Sequence, residues 1–133
     1  MRIWHINLIK VLPREQLVSQ WRECSALASN ILKKSSPNHI LCNFIMDYDF
    51  NHFISYAYYV REEMTRRGYR TMNSVWEKIT ALKPNYTIFP LKEVFAKKMN
   101  DTYLEICWYN LYEKYLCGGI RDEDWVKIRD VRI

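Results

Sequence analysis

The sequence predicts an all-α fold, a compact single domain over residues 1–133 with three principal helices and long connecting loops. Three observations carry this prediction. Apolar residues recur at steps of three and four in three long stretches, the period of a helix with one buried face. Turn formers are sparse, with 3 glycines and 4 prolines, too few to punctuate many short strands. Apolar and aromatic residues make up 49% of the 133 residues, which excludes a disordered chain. A chain of this length buries roughly two-thirds of its unfolded surface, so one core forms without metals or disulfides. No internal repeat, low-complexity tract or linker points to a second domain.

The first helix is expected from about Pro13 to Lys33. Proline suits a first helical position, where its missing N–H costs nothing. Leu17, Trp21, Cys24, Ala28 and Ile31 make its apolar stripe, and Ser35, Ser36 and Pro37 stop it. Glu23 falls off that stripe, on the polar side with Gln16, Ser19 and Asn30. A second helix is expected from near Asp49 to Gly68, striped by Phe53, Ala57, Val60 and Met64. Its basic end, "VREEMTRRGYR", has a structural explanation, because cations suit a helix C-terminus, beside a phosphate-binding one. The adjacent Glu62 and Glu63 point in different directions and read as a solvated face.

A short helix is expected around Ser74 to Leu82, and "PLKEVFAKK" is either another short helix or an ordered loop. Asn100 or Asp101 caps a third long helix to Cys117, striped by Leu104, Trp108, Leu111 and Tyr115 and stopped by Gly118 and Gly119. The tail "RDEDWVKIRDVRI" is dense in charge, with Trp125, Ile128 and Val131 interleaved.

Net charge is +5 and 15% of residues are aromatic. Both suit an anionic partner whose bases can stack, and both equally suit an ordinary basic protein with an aromatic core. Cys24, Cys42, Cys107 and Cys117 form no CxxC pair and share no zinc spacing with His5, His39 and His52; they read as buried reduced thiols, with no metal. The longest apolar-rich patch, "ILCNFIM", is far short of a membrane span, and no signal peptide is visible. The expectation is a cytoplasmic protein with no membrane partner.

No Walker loop, GxGxxG, GxSxG or HExxH is present, so a metal- or nucleotide-dependent enzyme would have to be built from scattered residues; the mechanism that the family resemblance described below implies calls for no metal or organic cofactor. One chemistry needs no motif. An α-amino group titrates near 7.7–8, so roughly a quarter of such groups are neutral and nucleophilic at neutral pH, against about a thousandth of lysines. A chain terminus held in place beside a carboxylate is therefore a nucleophile for Schiff-base chemistry. Glu23 is one candidate partner for Met1; Glu15, Glu62 and Glu105 are others. The competing reading of "MRIWHINLI" is a packed segment anchored by Ile3, Ile6 and Leu8.

The opening "MRI", the helix pattern Leu17, Trp21, Arg22-Glu23, then "EEMTRRGY" (Glu62 to Tyr69), "LYEK" (Leu111 to Lys114) and "WVKI" together resemble the phage-type pyrimidine-dimer DNA glycosylases, also called endonuclease V. The resemblance implies a small basic all-α enzyme that attacks C1′ of a damaged nucleotide through its terminal amine and then cleaves by β-elimination. It implies the terminal amine and Glu23 as the catalytic pair; the family exposes a small residue after methionine loss, whereas here Arg2 is too bulky for ready methionine removal, so Met1 is expected to carry the amine with Arg2 beside it. It also implies Arg2, Arg22, Arg66, Arg67, Trp125 and Lys127 as DNA contacts, and double-stranded DNA with a damaged base as partner. No protein partner is implied. The alternatives are a non-catalytic all-α nucleic-acid-binding module of the same fold and a small structural adaptor.

Overall fold

Leu17, Trp21, Cys24, Ala28 and Ile31 are all buried, and they form the inner face of α1 (Arg14–Lys34). Pro13 occupies the N-cap, one place earlier than expected, and Ser35 ends the helix in the left-handed conformation, returning its N–H to the Ile31 carbonyl. Phe53, Ala57, Val60 and Met64 line α2 (Phe50–Arg66), whose first turn is capped by the Asp49 carboxylate accepting from the Asn51 N–H at 2.7 Å. Gly68, at φ 82°, takes the positive-φ position just past that helix. The short α3 (Asn73–Thr80) packs across α1 and α2, and α4 (Asp101–Leu116) begins at Asn100, whose side chain accepts from the Tyr103 N–H.

The computed structural model describes residues 1–131. Among them it is helical throughout, with five α-helices and three short 3-10 helices, Ile6–Val11, Asn43–Asp47 and Leu91–Glu93. The charged tail, for which the sequence set no element, forms α5 (Asp122–Ile128) and packs on α4 and on the Ile6–Val11 turn. "PLKEVFAKK" is an ordered loop around one 3-10 turn.

One hydrophobic cluster joins the five α-helices and the first two 3-10 turns, and the first residues run through it: Ile3, Trp4, Ile6, Leu8 and Ile9 are buried. No helix among the described residues is long and apolar enough to cross a membrane. Three of the four cysteines are buried free thiols as expected, but Cys117 is exposed at the end of α4. The solvated face expected of Glu62–Glu63 needs correcting too. Glu63 is 8% exposed because its helix position faces the Ile6–Val11 turn, and it is neutralised there by Arg66 and Arg67.

Candidate active site

The amino-terminal strap is fixed by side chains from three helices. From α1, Gln20 accepts the Trp4 N–H at 2.8 Å and donates to the Arg2 carbonyl at 2.9 Å. From α2, the Tyr56 hydroxyl lies 2.7 Å from both the Trp4 carbonyl and Gln20 Oε1. From α4, the Tyr103 hydroxyl donates to the Ile3 carbonyl. Extended backbone inside a protein must find such partners, since each orphaned polar group costs about 1–3 kcal/mol. His5 closes the strap by capping the following 3-10 turn, its Nδ1 accepting from the Asn7 N–H at 3.1 Å. Burial lowers the His5 pKa, partly offset by the Met99 and Asn100 carbonyls and by Asp101, which favours the neutral ring that cap needs.

This strap meets α1 at Glu23. The Arg2 N–H points at Glu23 Oε2 across 3.4 Å, and Gln20 Nε2 donates to the same oxygen at 3.0 Å. Met1 is 43% exposed, so the end of the chain reaches solvent while the residues behind it do not. Its α-nitrogen lies one backbone residue, at most about 3.6 Å, from the Arg2 amide. The contact from Glu23 to this end thus runs through the Arg2 peptide, with the amine immediately beyond it. Glu23 is half-buried rather than on an open polar face, because the strap lies across that side of α1. Of the four glutamates the sequence left open, Glu23 is the one the Arg2 amide meets; Glu15 and Glu62 are exposed.

Cys42 sits under the same junction. Burial pushes its thiol up to about 11; Glu23 pushes the same way, while the terminal ammonium, Arg2 and the Ile3 amide pull it down. The Arg2 guanidinium is over the Trp4 ring, 5.8 Å from its centroid, and its charge reaches Tyr103 and Cys107 of α4. The arrangement brings the exposed end of the chain, the half-buried Glu23 carboxylate and the Arg2 guanidinium to one junction.

The other expected DNA contacts lie apart from this pair. Arg22 is exposed on α1 next to Glu23, and a shallow groove leads from it to Arg14. Arg14 also lines a hollow of about 490 Å³ ringed by Lys10, Arg66, Arg67, Arg121 and Lys127. Asp124 lines it as well, and Arg66 and Arg67 pair with Glu63 and Arg121 with Asp124, so Lys10, Arg14 and Lys127 supply the rest of its positive charge. Arg67 is already engaged, with its Nε 2.7 Å from Glu63 and its other nitrogens on the Lys10 and Leu12 carbonyls. Arg66 pairs with Glu63 yet keeps 67% of its side chain exposed, and Lys127 is exposed. A larger hollow of about 680 Å³, walled by Ile6, Ile9, Tyr59 and Leu91, adjoins it at Lys10 and Arg66.

Trp125 departs from expectation. It is 8% exposed and stacks on Tyr115 (4.9 Å between centroids) and Tyr112 (5.4 Å), with Trp108 at 5.2 Å. Helix α5 turns this ring inward onto α4, so it holds the two helices together instead of offering a face to a base. Sequence reasoning also missed Gln20, Tyr56, Tyr103 and Cys42. The spacing of Gln20, three residues before Glu23 on one helix face, is a signal that could have found the first of these.

The family model described as pyrimidine dimer DNA glycosylase matches residues 1–77, a span covering the strap, α1, α2 and the first half of α3. No curated protein and no solved structure matches the chain.

Proposed function

The chain belongs to the pyrimidine dimer DNA glycosylase family, and from that premise we propose that it is a glycosylase and lyase using the Met1 amine as nucleophile and Glu23 as the acid–base group. The observation that carries this reading is the Arg2 N–H to Glu23 contact of 3.4 Å at the end of a strap pinned by three helices. A frayed terminus would spend its binding energy on ordering; a fixed one delivers the amine in one orientation.

In the proposed reaction the neutral α-amine attacks C1′ of the damaged nucleotide as the bond from C1′ to the base breaks. The electron pair leaves with the base. Nitrogen passes a proton to Glu23, which delivers it to the ring oxygen O4′ as the C1′–O4′ bond breaks, and a protonated Schiff base forms at C1′. Glu23 stabilises that positive charge and then takes a proton from C2′, so that the 3′ phosphate is expelled by β-elimination. Water hydrolyses the remaining imine and restores the amine. Arg2 and Arg22 hold phosphates next to the lesion, and the hollow containing Arg66, Arg67 and Lys127 holds the flanking backbone. Arg67 contributes mainly through its position, because its guanidinium is bound internally. Trp125 has no contact role in this scheme.

Borohydride reduction tests it. Incubation with duplex DNA carrying an abasic site or a pyrimidine dimer is expected to give a covalent complex. That complex is lost on acetylation of the α-amine and falls at least a hundredfold in Glu23→Gln. Absence of trapping by the unmodified protein on every lesion overturns the reading.

A further inference from the structure

The two oxygens of Glu23 meet different surroundings. Oε2 faces two donors, Gln20 Nε2 at 3.0 Å and the Arg2 N–H at 3.4 Å. Oε1 makes no hydrogen bond among the described residues. The one buried side-chain oxygen left without a partner there is that of Gln16, so Glu23 Oε1 reaches solvent. A carboxylate with one oxygen held and the other open has one oxygen free to exchange a proton with a substrate.

Gln20 sets this division. It stands three residues before Glu23, so both side chains share one side of α1, and it is fully buried. Its amide can face only one way. The Trp4 N–H, 2.8 Å from Gln20 Oε1, requires an acceptor, and the Arg2 carbonyl, 2.9 Å from Nε2, requires a donor. An amide nitrogen has two N–H groups; one goes to that carbonyl, and the second is left for Glu23 Oε2. The backbone of the strap thereby dictates which oxygen of the carboxylate is tied down.

The other titratable groups around Glu23 offer no second proton acceptor near neutral pH. Cys24 of α1, Cys42 beyond it and Tyr56 of α2 lie within reach of its charge, but burial pushes all three up, Cys42 to about 11, and they keep their protons. The charged neighbours are the terminal ammonium and Arg2 of the strap and Arg22, next to Glu23 on α1.

We propose that Gln20 is a positioning residue for the elimination step, tying down Oε2 so that Oε1 alone receives the C2′ proton. In that step Oε1 takes the proton, the C2′–H electron pair becomes the C2′–C3′ double bond, and the C3′–O pair departs with the 3′ phosphate. Gln20 acts through Glu23 alone. This inference rests on the glycosylase reading above, and it adds a residue whose loss slows elimination more than imine formation.

The test uses the full chain and duplex DNA with one abasic site, whose aldehyde forms the imine without departure of a base. Borohydride trapping reports the imine. The rate of strand cleavage relative to the trapped fraction reports elimination, and titration of the amine cancels from that ratio. Gln20→Glu keeps the shape and the acceptor for the Trp4 N–H but sets a second carboxyl against Glu23, and two such groups share a proton. At pH 7 it is expected to lower the ratio at least tenfold with less than a threefold change in trapping. The midpoint of the ratio against pH is expected to move up by about one unit. Gln20→Met, which fills the space without a donor, is expected to lower the ratio in the same direction. Tyr56→Phe is the control: it loosens the strap at Trp4, keeps the Gln20–Glu23 bond, and is expected to leave the ratio within twofold. Melting curves identify the variants that are folded at the assay temperature. An unchanged ratio in a folded Gln20 variant, or an equal fall in Tyr56→Phe, overturns the positioning role and leaves the glycosylase reading standing. Trapping without cleavage by the unmodified protein overturns the elimination step and this inference with it, and failure to trap overturns both readings.

Discussion

Gln20 and Glu23 are joined by a 3.0 Å hydrogen bond from the Gln20 amide to the carboxylate, and the same amide binds the strap on its other side. The Gln20 nitrogen serves Glu23 and the Arg2 carbonyl, and its oxygen accepts from the Trp4 N–H and shares the single Tyr56 hydroxyl proton with the Trp4 carbonyl. The surroundings also dictate which way the amide faces, because a carboxylate and a carbonyl require donors and a peptide N–H requires an acceptor. Gln20→Leu leaves the Trp4 N–H and the Arg2 carbonyl without this partner and takes one donor from Glu23. It is expected to destabilise the fold by about 3 kcal/mol, measured by urea unfolding. A loss below about 1 kcal/mol would show that the strap stands without this residue.

Glu63 predicts an acid-side loss of stability. Burial alone would raise its pKa, but Arg66 and Arg67 outweigh that and hold it below the usual 4.5. The unfolded chain therefore binds this proton more readily than the folded one. The stabilisation is complete above the unfolded value and disappears as pH falls through the lowered folded value. Glu63→Gln is expected to cost about 2 kcal/mol at pH 7, where Arg67 loses its ionic partner, and close to nothing near pH 3. Thermal unfolding of both proteins across that range checks it; a cost independent of pH would remove the ion pair from the account.

His5 gives a second pH dependence, in the window just below neutrality. Its pKa is lowered from 6.5, chiefly by burial, and its Nδ1 accepts from the Asn7 N–H only when unprotonated. A group whose folded pKa is depressed contributes in full above its unfolded value, and that contribution is lost as pH falls toward the folded one. Melting temperature is expected to decline between pH 7 and 5.5 in the unmodified protein and to decline less in His5→Asn, whose side chain caps without titrating. Parallel curves for the two would count against the cap.

Trp125 separates packing from binding. Its ring lies between Tyr112, Tyr115 and Trp108, so Trp125→Ala opens a cavity where α5 meets α4. The expected cost is about 4 kcal/mol of stability. The slope of log affinity for DNA against log salt is expected to stay the same at a temperature where the variant is folded, because no phosphate contact is removed. Lys127→Ala should do the reverse, reducing the slope by about 0.9 with little effect on stability. A changed slope in Trp125→Ala would return that ring to the DNA interface.

These residues also mark where the sequence was readable. The stripes of α1, α2 and α4 follow from spacing alone, because a helix with one apolar face has one place to put it. The Asn100 cap and the positive φ at Gly68 are equally local, fixed by neighbours a few residues away. Glu23 was one of four open glutamates by spacing and stood out only through the family resemblance, and its half-buried setting was hidden, since the strap covering it comes from 21 residues earlier. Tyr56 and Tyr103 were indistinguishable from other aromatics of their helices; only the fold brings their hydroxyls to Trp4 and Ile3. The 3-10 turns at Ile6–Val11 and Asn43–Asp47 are too short to carry a period. Trp125 could have faced either way, and a single turn of α5 decided it.

The bond from Tyr103 to the Ile3 carbonyl spans 100 residues of chain. During synthesis, the residues that emerge first must wait for α4, among the last to emerge, before they acquire their final partner. Contacts this distant in sequence form late, after local helices and their closest neighbours. A nascent or truncated chain can thus hold α1, α2 and most of the core while its terminal amine still swings free. On the proposed mechanism, placing the terminal amine becomes the closing event of folding, and the proposed activity requires α4 to be in place.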